Sequence, residues 1–95
     1  METKARFLQY TDKICRDQDG NIQDGDILLP EMIMRFKNGL LHGGTDAAIS
    51  CTDGHREHWK NGKLHREGRP AILTICEDEN GNVYEEYWEN GVRLS

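Results

Sequence analysis

Over the first thirty residues the apolar and polar positions hold no sustained helical period. Phe7-Leu8-Gln9-Tyr10 through Ile14 is the apolar-spaced piece, followed by Arg16-Asp17-Gln18-Asp19-Gly20-Asn21 and Asp24-Gly25-Asp26. Asp and Gly tolerate the positive φ of tight turns, so a short strand, a turn and a second short strand are predicted here. The same Gly and Asp density argues against a long helix. From Met32 the pattern sharpens. Met32-Ile33-Met34-Arg35-Phe36 leads into Asn38-Gly39, Arg56-Glu57-His58-Trp59 into Asn61-Gly62, and Tyr84-Glu85-Glu86-Tyr87-Trp88 into Asn90-Gly91. An extended segment that ends on an aromatic residue and then meets Asn-Gly, the preferred type I′ pair, predicts a β-hairpin. Ala47–Cys51 and Ala71–Cys76 are the next extended segments, closed by Asp53-Gly54 and by Glu79-Asn80-Gly81-Asn82.

These hairpins are copies of one unit. Phe36 to Ile49 recurs 23 residues later as Trp59 to Ile72, with seven of fourteen positions identical, and a third start at Trp88 follows 29 residues after the second. A period of this size marks stacked supersecondary units. The expected fold is all-β, an antiparallel meander of stacked β-hairpin repeats in a single domain over 1–95. N-terminal strands and turns fill 1–31, and repeat units lie near 32–54, 55–83 and 84–95. Alternation puts Met32, Met34 and Phe36 on one face, as it does Tyr84, Glu86 and Trp88, with Ile33, Arg35, Glu85 and Tyr87 on the other. Neither face is fully apolar, so one sheet face is expected to pack against the N-terminal strands or a second copy while the charged face stays wet, and the third unit to end in a strand open for pairing.

Composition changes the picture in two ways. Leu, Ile, Val and Phe make up only one residue in five, so the core is thin and draws extra burial from stacking, an oligomer interface or a partner. The net charge of -5, from 17 acidic and 12 basic residues, argues against a general binder of the phosphate backbone. No apolar run reaches the length of a membrane helix and no signal-peptide pattern is present, which points to the cytoplasm and away from membranes. Three cysteines, Cys15, Cys51 and Cys76, are expected as buried or half-buried thiols.

The strings Phe36-Lys37-Asn38-Gly39-Leu40-Leu41-His42-Gly43-Gly44 and Trp59-Lys60-Asn61-Gly62-Lys63-Leu64-His65 resemble the MORN (membrane occupation and recognition nexus) repeat, with its aromatic, x, Asn, Gly, x, x, His, Gly pattern. The second copy, continuing Arg66-Glu67-Gly68-Arg69-Pro70-Ala71, resembles the His-Arg-Glu variant of small bacterial and phage proteins, with Arg69 inserted before Pro70. The resemblance covers roughly Met32 to Leu94. It implies a hairpin scaffold or binding surface with no catalytic residues to transfer, acting through protein contacts, dimerisation or, in some members, phospholipid surfaces. An acidic chain without a visible Lys/Arg cluster fits the lipid role poorly.

Other chemistry finds little foothold. Cys51, Asp53, His55 and His58 fall close together, but one Cys without a Cys-x-x-Cys, around an Asp-Gly turn, reads as a polar cross-strand pair before it reads as a zinc site. His42 and His65 hold the same repeat position, which favours a structural role: each imidazole is expected to donate to a loop carbonyl and fix the turn toward Ala47 or Pro70. Neither a thiol nucleophile with its base nor a phosphate-binding loop is marked, and no cofactor, metal or enzymatic activity is expected.

The function expected is a non-enzymatic protein–protein interaction module of MORN-like type. Phe36, Trp59, Tyr84, Tyr87 and Trp88 are the candidate anchors, with Glu85, Glu86 and Glu89 around them. The partner is another protein with a basic surface, and a homodimer is a second expectation. The acids in Asp17–Glu31 and Glu77–Glu89 raise an alternative, a small acidic phage-type inhibitor, anti-CRISPR or otherwise directed against defence, that blocks a nucleic-acid-binding effector by charge mimicry. A solvated, solubilising surface accounts for the same acids.

Overall fold

In a computed structural model, which describes residues 3–75 and 81–95, the chain is all-β and antiparallel apart from one 3-10 turn at Leu8–Tyr10. The strands are β1 (Gly25–Leu28), β2 (Met32–Lys37), β3 (Leu40–Leu41), β4 (Ile49–Cys51), β5 (Arg56–Glu57), β6 (Trp59–Lys60), β7 (Lys63–Leu64), β8 (Ile72–Ile75), β9 (Val83–Glu86), β10 (Trp88–Glu89) and β11 (Val92–Arg93). The main sheet runs β1-β2-β4-β5-β8-β9, with β3 also paired to β2, while β6–β7 and β10–β11 form separate two-stranded hairpin tips. The sheet does not close into a barrel. Cys76 and the acids Glu77, Asp78 and Glu79 lie outside the described residues.

The three Asn-Gly turns repeat one geometry. Asn38 and Gly39 have φ of 52° and 82°, Asn61 and Gly62 49° and 81°, and Asn90 and Gly91 48° and 80°, the paired positive φ of a type I′ turn whose twist matches the flanking strands. Behind each turn the incoming strand differs. β2 is continuous because β1 runs along it from Gly25↔Phe36 to Leu28↔Ile33. Among the described residues no strand runs along the corresponding place in the later repeats, where single bonds from Gly43 N–H to Trp59 O and from Arg66 N–H to Trp88 O stand instead, and the hairpin tips lie apart from the main sheet.

The expected strand around Phe7–Ile14 is absent. Residues 3–15 instead form a strap across the hairpins, and its side chains Ala5, Phe7, Tyr10 and Cys15 pack on the core. The strap's polar backbone is satisfied by the turns it crosses: Asp12 N–H donates to Gly62 O and Cys15 N–H to Gly39 O. Of the two faces that alternation separates, the one carrying Met34 and Phe36 is buried. The core centres on Phe36, Leu41, Ala48, Ile49, Trp59, Leu64 and Ile72.

The segment after the strap is a concealed repeat. Gly39 N–H donates to Gln23 O, as Gly62 N–H does to Leu41 O and Gly91 N–H to Leu64 O. Asn38 N–H donates to Asp24 Oδ1, as Asn61 N–H does to His42 Nδ1 and Asn90 N–H to His65 Nδ1. Ile27 pairs with Met34, as Ile49 pairs with Glu57 and Ile72 with Glu86. Gln23, Asp24 and Ile27 therefore hold the places of Leu41, His42 and Ile49. A shorter linker, and an Asp17–Asn21 loop closed by the single Arg16↔Ile22 bridge, remove the Asn-Gly and the spacing that mark the other copies.

Candidate functional site

The sequence-derived anchors separate into two groups. Phe36 and Trp59 lie in the core at 5% and 2% exposure, and Glu86 is fully buried, so these three offer no surface to a partner. Tyr84, Tyr87 and Trp88 are half-buried, Glu85 is exposed and Glu89 half-buried, all on the last described hairpin and the strand leading to it. Val92 and Leu94 of the same hairpin are 63% and 57% exposed. This end of the stack thus presents aromatic and aliphatic surface with Glu85 and Glu89 beside it.

Glu86 belongs to a device that the sequence did not disclose. Its carboxylate accepts from the Thr3 hydroxyl (2.6 Å), Lys4 N–H (2.5 Å) and the Trp88 indole (3.0 Å). Burial raises its pKa, but these donors together with Tyr84 outweigh that effect and hold it below the ordinary carboxylate value. One repeat earlier Glu57, also fully buried, accepts from Arg6 N–H (2.7 Å), the Trp59 indole (3.0 Å) and His55 Nε2 (2.8 Å). In the first full repeat the same two positions are Met34 and Phe36, which need no such bond. The legible signal was Glu-x-Trp twice against Met-x-Phe once. Both carboxylates serve the strap.

The other candidates resolve into structural roles. His55 is bound to Glu57. Asp53 accepts from His55 N–H and pairs with Arg6 at 3.0 Å. The Cys51 thiol is buried, and burial first, then Asp53 and Glu57, push it up. Among the described residues no group of three His, Cys, Asp or Glu is placed to hold a metal ion. His42 and His65 are structural, but by accepting through Nδ1 from the next hairpin's Asn N–H, not by donating to a loop carbonyl. Several of the acids in Asp17–Glu31 are also committed: Asp17 caps its own turn, Asp24 caps Asn38, and Asp26 pairs with Arg35 at 2.6 Å.

Between the first two full repeats lies a groove of about 550 Å³, lined among others by His42, Thr45, His58, His65, Lys60, Arg66, Glu67 and Arg69. Three basic side chains, Lys60, Arg66 and Arg69, stand against one acid, Glu67, in this lining. Burial, then Lys37 and Lys60, lower the pKa of His42; burial, then Arg66, push His58 down to about 4, against the opposing pull of Asp46. Sequence reasoning missed this cluster because its members are spread over two repeats in an acidic chain.

Compared with known proteins, the chain matches no family model, no curated protein and no solved structure. What the geometry presents is a small, compact all-β domain consistent with a protein-binding module. No helix among the described residues is long and apolar enough to cross a membrane.

Proposed function

We propose that the chain is a non-enzymatic, MORN-like hairpin-repeat module that binds a basic-surfaced protein through the uncovered end of its repeat stack. One observation carries this reading. Phe36 and Trp59, each followed by another hairpin, are buried, whereas Trp88 is half-buried beside exposed Val92 and Leu94. Covering apolar surface of this kind is the main favourable term in association. At the opposite end Phe36 pairs with Gly25 of the concealed repeat, with Ile22 and Leu28 exposed there. Glu85 and Glu89 select the occupant: they complement basic groups and would repel their own counterparts in a second copy.

A photo-cross-linking amino acid at Val92, with a control at exposed Leu28 on the far sheet edge, tests this in the native host. The expected result is one defined adduct from position 92, none from 28, and loss of that adduct in the Glu85→Lys/Glu89→Lys variant. An adduct with a second copy of the chain would replace the basic partner by self-association. Equal adducts from both positions, or none, would remove the proposal.

A further inference from the structure

The inter-hairpin crevices are not equivalent. Where Arg35 meets Asp26 between the concealed and first full repeats, an ion pair occupies the crevice. One repeat later His58 stands at the place of Arg35 and lines the groove with Gly44, where a Cβ would meet nothing within 4 Å. Lys60, Arg66 and Arg69 line it, and among the described residues neither Lys60 nor Arg69 makes an ion pair. Arg66 spends one guanidinium nitrogen on Pro70 O at 3.2 Å. At the crevice after it, the places of His58, Trp59 and Lys60 are taken by Tyr87, Trp88 and Glu89, so the positive charge is not a property of the repeat.

Two imidazoles complete the donor set. Because Nδ1 of His42 and of His65 accepts a backbone N–H at 3.1 and 3.0 Å, the proton of each neutral ring resides on Nε2, and both rings line the groove. His65 Nε2 lies 3.6 Å from the exposed Glu67 carboxylate, a long contact that a stronger acceptor displaces. The walls therefore combine fixed ring N–H donors, the Thr45 hydroxyl and two uncommitted cations, with Glu67 as the opposing charge.

We propose that this groove binds a phosphate group carried by a small molecule, of the class of diphosphate esters. A tetrahedral oxyanion with several acceptor oxygens uses convergent N–H donors and cations together, as a single carboxylate does not. The volume leaves room for the body of the ester beyond the phosphate. This inference does not rest on the uncovered end of the stack, and either stands without the other.

Calorimetric titration with pyrophosphate tests it, with acetate as a carboxylate control and co-sedimentation with phosphatidylcholine vesicles containing phosphatidic acid as a second arm. Pyrophosphate is expected to bind at least tenfold tighter than acetate, to shift the His42 and His65 ring resonances, and to lose at least tenfold in affinity in Lys60→Ala/Arg69→Ala. Both substituted residues are exposed, and Lys13→Ala on another face is expected to bind as the unsubstituted protein does. Glu67→Gln is expected to bind tighter. Uptake by the vesicles without binding of free pyrophosphate would overturn a soluble ligand and move the phosphate to a lipid headgroup. Binding to neither at millimolar concentration, or undiminished binding by the double variant, would overturn the site.

Discussion

Glu57 is a carboxyl group in a dry place, held by three hydrogen bonds of which one, from Arg6 N–H, comes from a segment 51 residues away. Removing the carboxylate leaves its donors unpaired at about 1–3 kcal/mol for each that stays buried, a large part of what a domain of this size has in hand. Glu57→Ala is therefore expected to leave the chain largely unfolded in chemical denaturation. Glu57→Met combined with Trp59→Phe copies the pair at Met34 and Phe36 and removes the indole donor with its acceptor. The double variant is expected to lose less than the sum of the two single changes. His58 gives a pH prediction. Its folded pKa of about 4 lies below the unfolded value of 6.5, so within that interval the unfolded chain binds a proton that the folded chain refuses. Stability is expected to fall as pH drops from 6.5 toward 4, and His58→Tyr, the residue at the matching Tyr87 position, to flatten part of that slope in thermal melts. Glu86 has the same sign at lower pH, since a depressed carboxylate loses its contribution as pH falls through its folded pKa.

At the scale of the element, the turns look interchangeable and are not. A Cβ at Gly91 would meet only Lys63 side-chain carbons at 3.7 Å, so Gly91→Ala is expected to cost the positive-φ penalty alone, about 1–2 kcal/mol. At Gly39 the same atom would fall 2.7 Å from Ile14 Cγ2 and 3.2 Å from Cys15 O. Gly39→Ala is expected to lose about 1–3 kcal/mol more through crowding against the strap, read as a lower denaturation midpoint. The turns themselves were legible, because Asn-Gly after an aromatic residue is a local signal that needs no tertiary context. The strap was not: Phe7–Ile14 has strand-like spacing, but its hydrogen bonds go to side-chain carboxylates and turn carbonyls far along the chain. The concealed repeat escaped for a related reason. Gln23, Asp24 and Ile27 reproduce the bonds of Leu41, His42 and Ile49 with different residue types and a shorter linker.

For the whole molecule, hairpin repeats would ordinarily melt as a string of nearest-neighbour units. Here Thr3, Lys4 and Arg6 bind the last and next-to-last repeats while Cys15 binds the first full one. The strap is therefore expected to join the stack into one cooperative unit. In native-state hydrogen exchange the Lys4 and Arg6 amides, although near the start of the chain, are expected to be protected to the same free energy as Ile72 in the core. Fast exchange at Lys4 with slow exchange at Ile72 would show that the strap frays independently. The candidate site was only partly legible at this scale. Tyr84, Tyr87, Trp88, Glu85 and Glu89 do share one end of the stack, but whether an aromatic residue is anchor or core depends on whether another hairpin follows it, which burial decides and residue type does not.

The bond from Thr3 to Glu86 spans 83 residues. On a ribosome Thr3 and Lys4 emerge well before their acceptor, so they must wait, exposed and unpaired, while the hairpins up to Glu86 are made. The early hairpins are free to stack in the meantime, but Glu57 and Glu86 stay open to water until the strap closes over them. Closing the strap thus lays an early-made segment over later-made hairpins, and a bulky fusion ahead of Thr3 is expected to slow that closure more than one placed after Ser95.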